Sequence, residues 1–508
     1  QTEQRVSRKA ADSPGRVRTR GPPRHSARLV SRTAVRALAS HFRLVRRVEK
    51  RRLLILLALA LAARAGAFLL AAGGGILIGE GRVYSNLAEN LLEGRGYVLS
   101  ADMLSPPEPV RGAASVIQER TFEFYRRVDG FYGVLRPERP TLFIPPGYPV
   151  LMAAGYAVLG AGNLLAIRGL QLLAGLVTVM LGFALARRHL RNPEAWLVCL
   201  FIALDPFEIY FEAVPATQAA FGLFTTAALV LSTRALDGGR ALQAALASSV
   251  WGLAYLIRPA AMPMMCVFLL CILLVRGRPV SARLAAIGTG ILSFMIVLSP
   301  WILYAHSVSG QWRITPTQGG VNLWESNGRI FSSHFEGEIQ GAVSLYGPLR
   351  EELEGSIRKP WLAEFPEFRD EPEWVRDSVL YKRTAEFLAA NPTLMPRLTL
   401  LRFAEFFKPF PFNDFPLHYM LAGLATFGLV LVFAGAGLVR FLRSRDPSAV
   451  MIALSVALYS LAHLSAISGT PHRVGIDIPL AVLAGSGLSA FASRTGLWRR
   501  LERFRPRR

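Results

Sequence analysis

"LLILLALALAARAGAFLLAAGGGILI" occupies residues 53–78. A membrane crossing needs about 20 mostly apolar residues. Within lipid the backbone must satisfy its own polar groups, which makes this run a helix. Runs of the same kind recur at 163–187, 194–210, 214–236, 242–258, 260–275, 283–304, 417–440, 448–467 and 474–491. The fold class is therefore an all-α polytopic membrane protein with ten crossings.

Charge divides the chain as sharply as hydropathy does. Of 35 Asp and Glu, 9 lie in 80–140 and 15 in 306–416. These two stretches read as large polar loops. Residues 1–52 carry 16 Arg and Lys against three acids, and the chain ends in "RRLERFRPRR". The formal charge of +23 could suggest nucleic acid. Its placement beside apolar spans instead indicates cytoplasmic anchoring against anionic lipid, and nucleic acid is not expected as a partner. Ten crossings put both termini on one side. The connections "ARRHLR" (186–191), "RALDGGR" (234–240), "VRGRPVSAR" (275–283) and "RFLRSRD" (440–446) join them there, and both large loops fall outside. The short run "PGYPVLMAAGYAVLGAG" (146–162) would break this parity if it crossed, so it is expected to lie at the membrane face.

The resulting division is a basic, disordered tail at 1–48 and a transmembrane catalytic module at 49–304 that includes the first outer loop, 80–140. A second outer loop with amphipathic helices follows at 305–416. Transmembrane helices at 417–494 and a basic tail at 495–508 complete the chain. Cys199, Cys266 and Cys271 all sit in apolar runs and read as small core residues, not as disulfides or metal ligands.

Candidate functional residues cluster where loops meet spans. "GEGRVYSNLAENLLEGRGY" (79–97) places Glu80 just outside the first span, with Tyr84, Leu87, Ala88 and Leu91 at helical spacing behind it. A carboxylate there suits a general base; it also suits a helix cap or a partner for Arg82. "ALDPFEIYFEAVPATQ" (203–218) gathers Asp205, Glu208 and Glu212 at an outer hairpin, and "LIRPAAMP" (256–263) sets Arg258 at another outer turn. Charges at such depth mark either function or helix ends. "PPGYP" (145–149) forces a sharp return to the membrane. "SPWILYAHSVSGQWRITPTQGGVNLWESNGRI" (299–330) offers a Trp-containing rim with turns at Gly319-Gly320 and Asn327-Gly328. "EWVRDSVLYKRTAEFLAANP" (373–392) is amphipathic, with Leu380, Thr384, Phe387 and Leu388 on one face suited to the membrane surface.

In this order, together with "RGLQLLAG" (168–175) and "PHRVGIDIPL" (471–480), these motifs resemble the GT-C superfamily of polytopic glycosyltransferases. That superfamily includes the protein mannosyltransferases and the lipid A aminoarabinose transferases. The resemblance covers about residues 53–490 and implies a GT-C-like helical bundle with two large extracytoplasmic loops carrying juxtamembrane helices. It also implies a sugar donor on a polyprenyl phosphate and a catalytic carboxylate in the first outer loop. The matching carboxylate is Glu80, four before Tyr84, where the family usually has Asp. Thr217-Gln218 stands where Thr-Glu is usual, and Tyr304-Ala305 where Arg-Asn is usual.

The expected activity is transfer of a sugar from undecaprenyl or decaprenyl phosphate to an extracytoplasmic lipid, polysaccharide or protein. Glu80 and Tyr84 are the expected catalytic residues; Arg258, Lys408 and Arg473 are the expected donor-binding cations. No metal is assigned, although Glu80, Glu208 and Glu212 could hold a hard cation such as Mg²⁺. The expected setting is a bacterial inner membrane, with membrane lipids as partners and the active site facing the periplasm or exterior. A lipid-linked glycan flippase would need no outer carboxylate. A non-catalytic assembly subunit would tolerate the altered family positions.

Overall fold

The computed structural model describes residues 49–69, 80–100, 138–327, 368, 370–409, 421–466 and 470–496. The basic tail at 1–48, most of the first loop, the middle of the second and the end of the C-terminal tail lie outside these residues. The chain divides by packing after Ile55. Of the first part, the described residues open helix α1 (Glu49–Leu69). All interactions described below belong to Leu56–Arg508.

The described residues are almost wholly helical; one antiparallel bridge, Val98 with Pro140, closes the base of the first loop. Helices α2 (Glu80–Leu92), α3 (Gly147–Leu159), α4 (Leu164–His189) and α5 (Asn192–Leu204) follow α1. Next come the short α6 (Pro206–Ala213), then α7 (Thr217–Gly238), α8 (Ala241–Ile257), α9 (Met262–Leu274) and α10 (Val280–Ser309). Helices α11 (Gly319–Asn327), α12 (Glu373–Ala390) and α13 (Leu394–Phe407) belong to the second loop. The chain returns through α14 (Leu421–Leu442), α15 (Pro447–Leu464) and α16 (Thr470–Thr495). Among the described residues seven helices, against the ten crossings expected, are long and apolar enough to cross a membrane: α1, α4, α7, α10, α14, α15 and α16. The shorter apolar α8 packs between α7 and α10, and α9 packs chiefly on α15.

Small residues set the closest crossing. A Cβ on Gly437 would strike the carbonyl oxygen of Leu483, and one on Gly487 that of Phe433. Glycine alone permits this approach of α14 to α16, and backbone proximity is the main source of helix affinity where no water is displaced.

The short helix α3 starts against the carbonyl end of α8, where Gly147 abuts Leu256. It leads through Gly162 into the start of α4. Both contacts are at the end of the bundle where the two large loops emerge, called the loop end below. Helix α3 therefore lies along that face.

Helix α12 differs from its expected place on the membrane surface. Leu380 and Thr384 are buried, and Phe387 packs edge-on against Trp324 of α11 at 6.1 Å. Its apolar face is satisfied by α11. The expected turn at Gly319-Gly320 is the first turn of that helix. Gly320 donates its N–H to Asp377 Oδ1 at 2.7 Å, and any side chain there would strike the Asp377 backbone. Cys199 and Cys271 are buried as expected, while Cys266 is exposed on the outside of α9.

Candidate active site

Two cavities meet at the loop end. The first is an apolar groove of about 480 Å³ between α3, α8 and α10, walled by Val150, Leu151, Leu253, Val297 and Trp301. The second is a polar cavity of about 460 Å³ under the second loop. Ile257 lines both, and the adjacent Pro145 and Pro146 face one each. Arg258, next after Ile257, lines the polar side of this seam.

The polar cavity is rich in donors. Thr217, Arg258, Thr315, Gln318, Asn322, Tyr84, Tyr381, His463 and His472 line it. Its described lining holds no carboxylate. Arg258 is positioned by Nε donating to Thr217 Oγ1 at 2.8 Å and Nη1 donating to the Pro471 carbonyl at 3.3 Å. Its guanidinium lies 5.9 Å from the centre of the Phe221 ring. His463 Nδ1 is 3.1 Å from the Tyr459 carbonyl, which turns the other ring nitrogen away from α15. The His463 and His472 rings stand 5.3 Å apart.

The roof is fixed by buried carboxylates of the second loop. Glu373 accepts from the Leu142 N–H at 2.8 Å, from Thr141 Oγ1 at 2.9 Å and from Thr317 Oγ1 at 3.3 Å. One side chain thus binds the end of the first loop to the start of the second. Burial pushes its carboxyl above the usual range, and the Leu142 and Thr141 hydrogen bonds oppose that push. Asp377 is likewise raised by burial, against Gly320 N–H and Arg313, whose Nη2 lies 2.7 Å away. Tyr304 donates to the Tyr97 carbonyl at 3.2 Å, closing the roof over the groove. Arg402 of α13 is lowered to about 10 by burial and donates to Asn327 Oδ1 at 2.9 Å and the Leu464 carbonyl at 3.2 Å.

Residues 144–304 match the family described as dolichyl-phosphate-mannose-protein mannosyltransferase. The archaeal oligosaccharyltransferase AglB from Archaeoglobus fulgidus, solved with an inhibitory peptide and a dolichol-phosphate, superposes with a TM-score of 0.52. The match covers 91% of this chain and 52% of AglB, at 13% identity. The fold is of the GT-C type. The apo oligosaccharyltransferase from the same organism gives a TM-score of 0.50 at 14% identity over 89% of this chain and 52% of its own. The chain thus spans about half the length of these oligosaccharyltransferases. ArnT from Cupriavidus metallidurans, bound to undecaprenyl phosphate, gives 0.37 at 14% identity, over 89% of this chain and 80% of ArnT. No curated protein matches the sequence.

Within this GT-C bundle the expected residues are distributed unequally. Tyr84 lines the polar cavity and meets Tyr148 edge-on at 5.2 Å. Glu80 is the first residue of α2, one turn before Tyr84 on the same helical face; its side chain lies outside the described residues. Arg258 reaches the cavity.

Arg473 is not in its lining. It is fully buried, with Nε donating to Asp477 Oδ1 at 2.9 Å and Nη1 to the Lys408 carbonyl at 2.6 Å. Its guanidinium also stacks 3.4 Å from the Phe427 ring centre. The i,i+4 spacing of Arg473 and Asp477 on one helix favours this pair over any external anion. Lys408 is not among the described lining of the polar cavity; its carbonyl anchors Arg473.

The hairpin acids form a separate buried group. Asp205 caps α6 by accepting from the Phe207 N–H at 3.0 Å. Glu212 is paired with Arg64 of α1 at 2.6 Å, and Gly175 leaves the space its carboxylate fills. Arg168 completes the clamp on α1: Nε donates to the Ala213 carbonyl at 2.7 Å and Nη2 to the Phe68 carbonyl at 3.2 Å. Glu212 is therefore committed to Arg64 and does not stand ready for the cation considered above. Among the described residues no three His, Cys, Asp or Glu are grouped to hold a metal ion.

Sequence reasoning does not single out His463 and His472. The "PHRV" motif draws attention to the charged Arg473, one residue beyond the one that faces the cavity. Thr217, which keeps the usual residue of its motif, and Tyr304, at one of the unusual positions, both have structural roles. Thr217 orients Arg258, and Tyr304 ties the end of α10 to the base of the first loop.

Proposed function

We propose that this chain transfers a sugar from a polyprenyl phosphate to an acceptor at the loop end of the bundle. The observation that carries this is the seam at Ile257, which lines both an apolar groove and a polar cavity that also holds Arg258. A polyprenyl phosphate sugar has one end that belongs in lipid and another that requires charged and polar donors. Few other ligands ask for both within one continuous site. The matched mannosyltransferase segment, 144–304, contains both walls of the seam.

In this reading the prenyl chain follows the groove past Val150 and Leu253. The phosphate lies at Arg258, and the sugar lies beneath Gln318, Asn322 and Tyr381. The acceptor nucleophile attacks the anomeric carbon as the bond to the phosphate oxygen breaks. Glu80 receives the acceptor proton, and Arg258 stabilises the charge gathering on the departing phosphate. Glu80 suits this role because it shares a helical face with Tyr84, a wall of the cavity. The Arg-rich, Ala-rich composition supports a bacterial inner membrane, with the loop end facing the periplasm. The acceptor there is a lipid, a glycan or a protein.

The test is Glu80→Gln in purified protein, with turnover and donor affinity measured on one preparation. Loss of a general base lowers the rate by about 10²–10⁴. Donor affinity should stay within a fewfold of wild type. Near-normal turnover would remove Glu80 from the chemistry. Failure of the wild-type protein to retain any polyprenyl phosphate would overturn the reading as a whole.

A further inference from the structure

A third groove, of about 490 Å³, lies away from the seam, between α5, α14 and α16. Its walls are Leu197, Phe201, Leu429, Phe433, Ala484 and Leu488. One ionisable residue lines it, Glu194 in the first turn of α5. Glu194 is fully buried, and neither carboxylate oxygen has a hydrogen-bond partner. This sets it apart from Asp205, Glu212 and Asp477, each of which holds a hydrogen bond or an ion pair. It is also three residues after the N-cap Arg191, where a Glu side chain often reaches back to the cap N–H; here it does not. A buried carboxylate without any donor is costly. A ligand that brings its own donor removes that cost.

The surroundings define the donor. The groove runs from Leu204 to Glu194 along α5, about 15 Å at 1.5 Å per residue. That is half of a hydrocarbon core of about 30 Å, so it matches one acyl chain of one leaflet. Glu194 sits at the end of the bundle opposite the loops. Val198 packs against Gly485, and α5 runs antiparallel to α16, so Glu194, one turn earlier, is level with Leu488. Arg440 of α14 arrives at the same level, where its Nη1 donates to the Ser486 carbonyl at 3.0 Å. Glu194, without a hydrogen-bond partner, and the exposed Arg440 thus stand toward the same end of an acyl-length groove.

We propose that this groove binds a phospholipid with a primary ammonium headgroup, of the phosphatidylethanolamine type. Its acyl chain fills the groove, its ammonium donates to Glu194 and its phosphate accepts from Arg440. The Glu194 carboxylate has no contact with water, so binding includes a rotamer change that turns it to the groove mouth. A quaternary choline headgroup has no N–H to donate. A glycerol headgroup donates but leaves the anion without a counter-charge. The bound lipid would join α5, α14 and α16 at the end of the molecule remote from transfer.

The experiment is native mass spectrometry of the full chain in detergent. It is exposed in parallel to phosphatidylethanolamine, phosphatidylcholine and phosphatidylglycerol with identical acyl chains. The ethanolamine lipid should be retained about tenfold better than either of the others, a factor equivalent to about 1.4 kcal/mol. Glu194→Gln should erase that preference, and Arg440→Ala should weaken retention of all three. Leu197→Trp, which fills the groove with an apolar side chain, should also lower retention of all three. Equal retention of the three lipids by wild type would overturn the proposal without recourse to any variant. So would an unchanged ethanolamine preference in Glu194→Gln, or displacement of the bound lipid by polyprenyl phosphate alone.

Discussion

The two ends of the bundle use the same charged residues in opposite ways. At the far end Arg188 bridges Asp237 at 2.8 Å and Asp446 at 3.3 Å, with all three side chains substantially exposed. Arg278 joins them by donating to the Leu236 carbonyl. At the loop end Arg473 and Asp477 form a pair with 0% and 1% exposure, and Arg64 and Glu212 one with 2% and 3%. Exposed pairs exchange water for each other at little net gain. Buried pairs are held by the penalty of separating them. Arg258 follows neither pattern: it is oriented by neutral oxygens and keeps its charge available to the cavity. Position within the fold, more than residue type, decides which arginine is anchor, clamp or ligand.

The sharpest way to break this contrast is at Arg473. Arg473→Ala leaves Asp477 buried without its partner, which should cost about 3–5 kcal/mol. Thermal unfolding in detergent would show it as a large drop in Tm. Replacing both partners by apolar residues, Arg473→Met with Asp477→Leu, should recover most of the loss. If the single variant melts like wild type, the pair is not a clamp.

Arg258→Ala should behave differently. Hydrogen bonds to charged groups contribute about 1.5–3 kcal/mol, so affinity for polyprenyl phosphate should fall roughly 10- to 100-fold, while Tm moves little. Isothermal titration against the lipid phosphate reads the first and a melt the second. A large Tm loss with unchanged affinity would exchange the roles assigned to Arg258 and Arg473.

Glu373 sharpens the comparison through pH. Its folded pKa is raised, mainly by burial. A carboxyl raised in the folded state contributes stability that is full below its unfolded value, about 4.3, and is lost as pH rises through the folded value. The Tm of wild type minus that of Glu373→Gln should therefore shrink as pH climbs from about 4 upward. A difference that grows with pH would mean that the Leu142 and Thr141 hydrogen bonds outweigh burial. The smallest effect belongs to the far end. Arg188→Ala should change stability by less than about 1 kcal/mol and should lose even that in high salt.

Much of this architecture is legible in the amino-acid sequence. The apolar runs between 163 and 304 and after 417 appear as helices close to their expected ranges, except that 194–210 is broken at Asp205 into α5 and α6, because lipid-spanning segments must carry a composition that few other segments need. Parity alone puts the short run at 146–162 on the membrane face, and α3 starts and ends at the loop end. Arg258, chosen for its place at a helix end, and Tyr84, chosen from the motif that begins at Glu80, line one cavity. Helix α12 departs from expectation because an amphipathic face records that something apolar covers it, not whether that cover is lipid or α11. Arg473 departs because its partner Asp477 lies one turn along the same helix, and spacing alone does not show which way both side chains turn.

By itself the sequence determined where the helices run, since hydropathy and the placement of Arg act locally along the chain. It also set two acid-rich stretches, 80–140 and 306–416, apart from the apolar runs. Only the tertiary structure decided which charges face each other beneath them. The pairing of Arg64 with Glu212 joins residues far apart in sequence, as do Glu373 with Leu142 and Arg258 with Thr217. Such contacts depend on how helices cross and how closely glycines let them approach. No periodicity within one segment records that geometry.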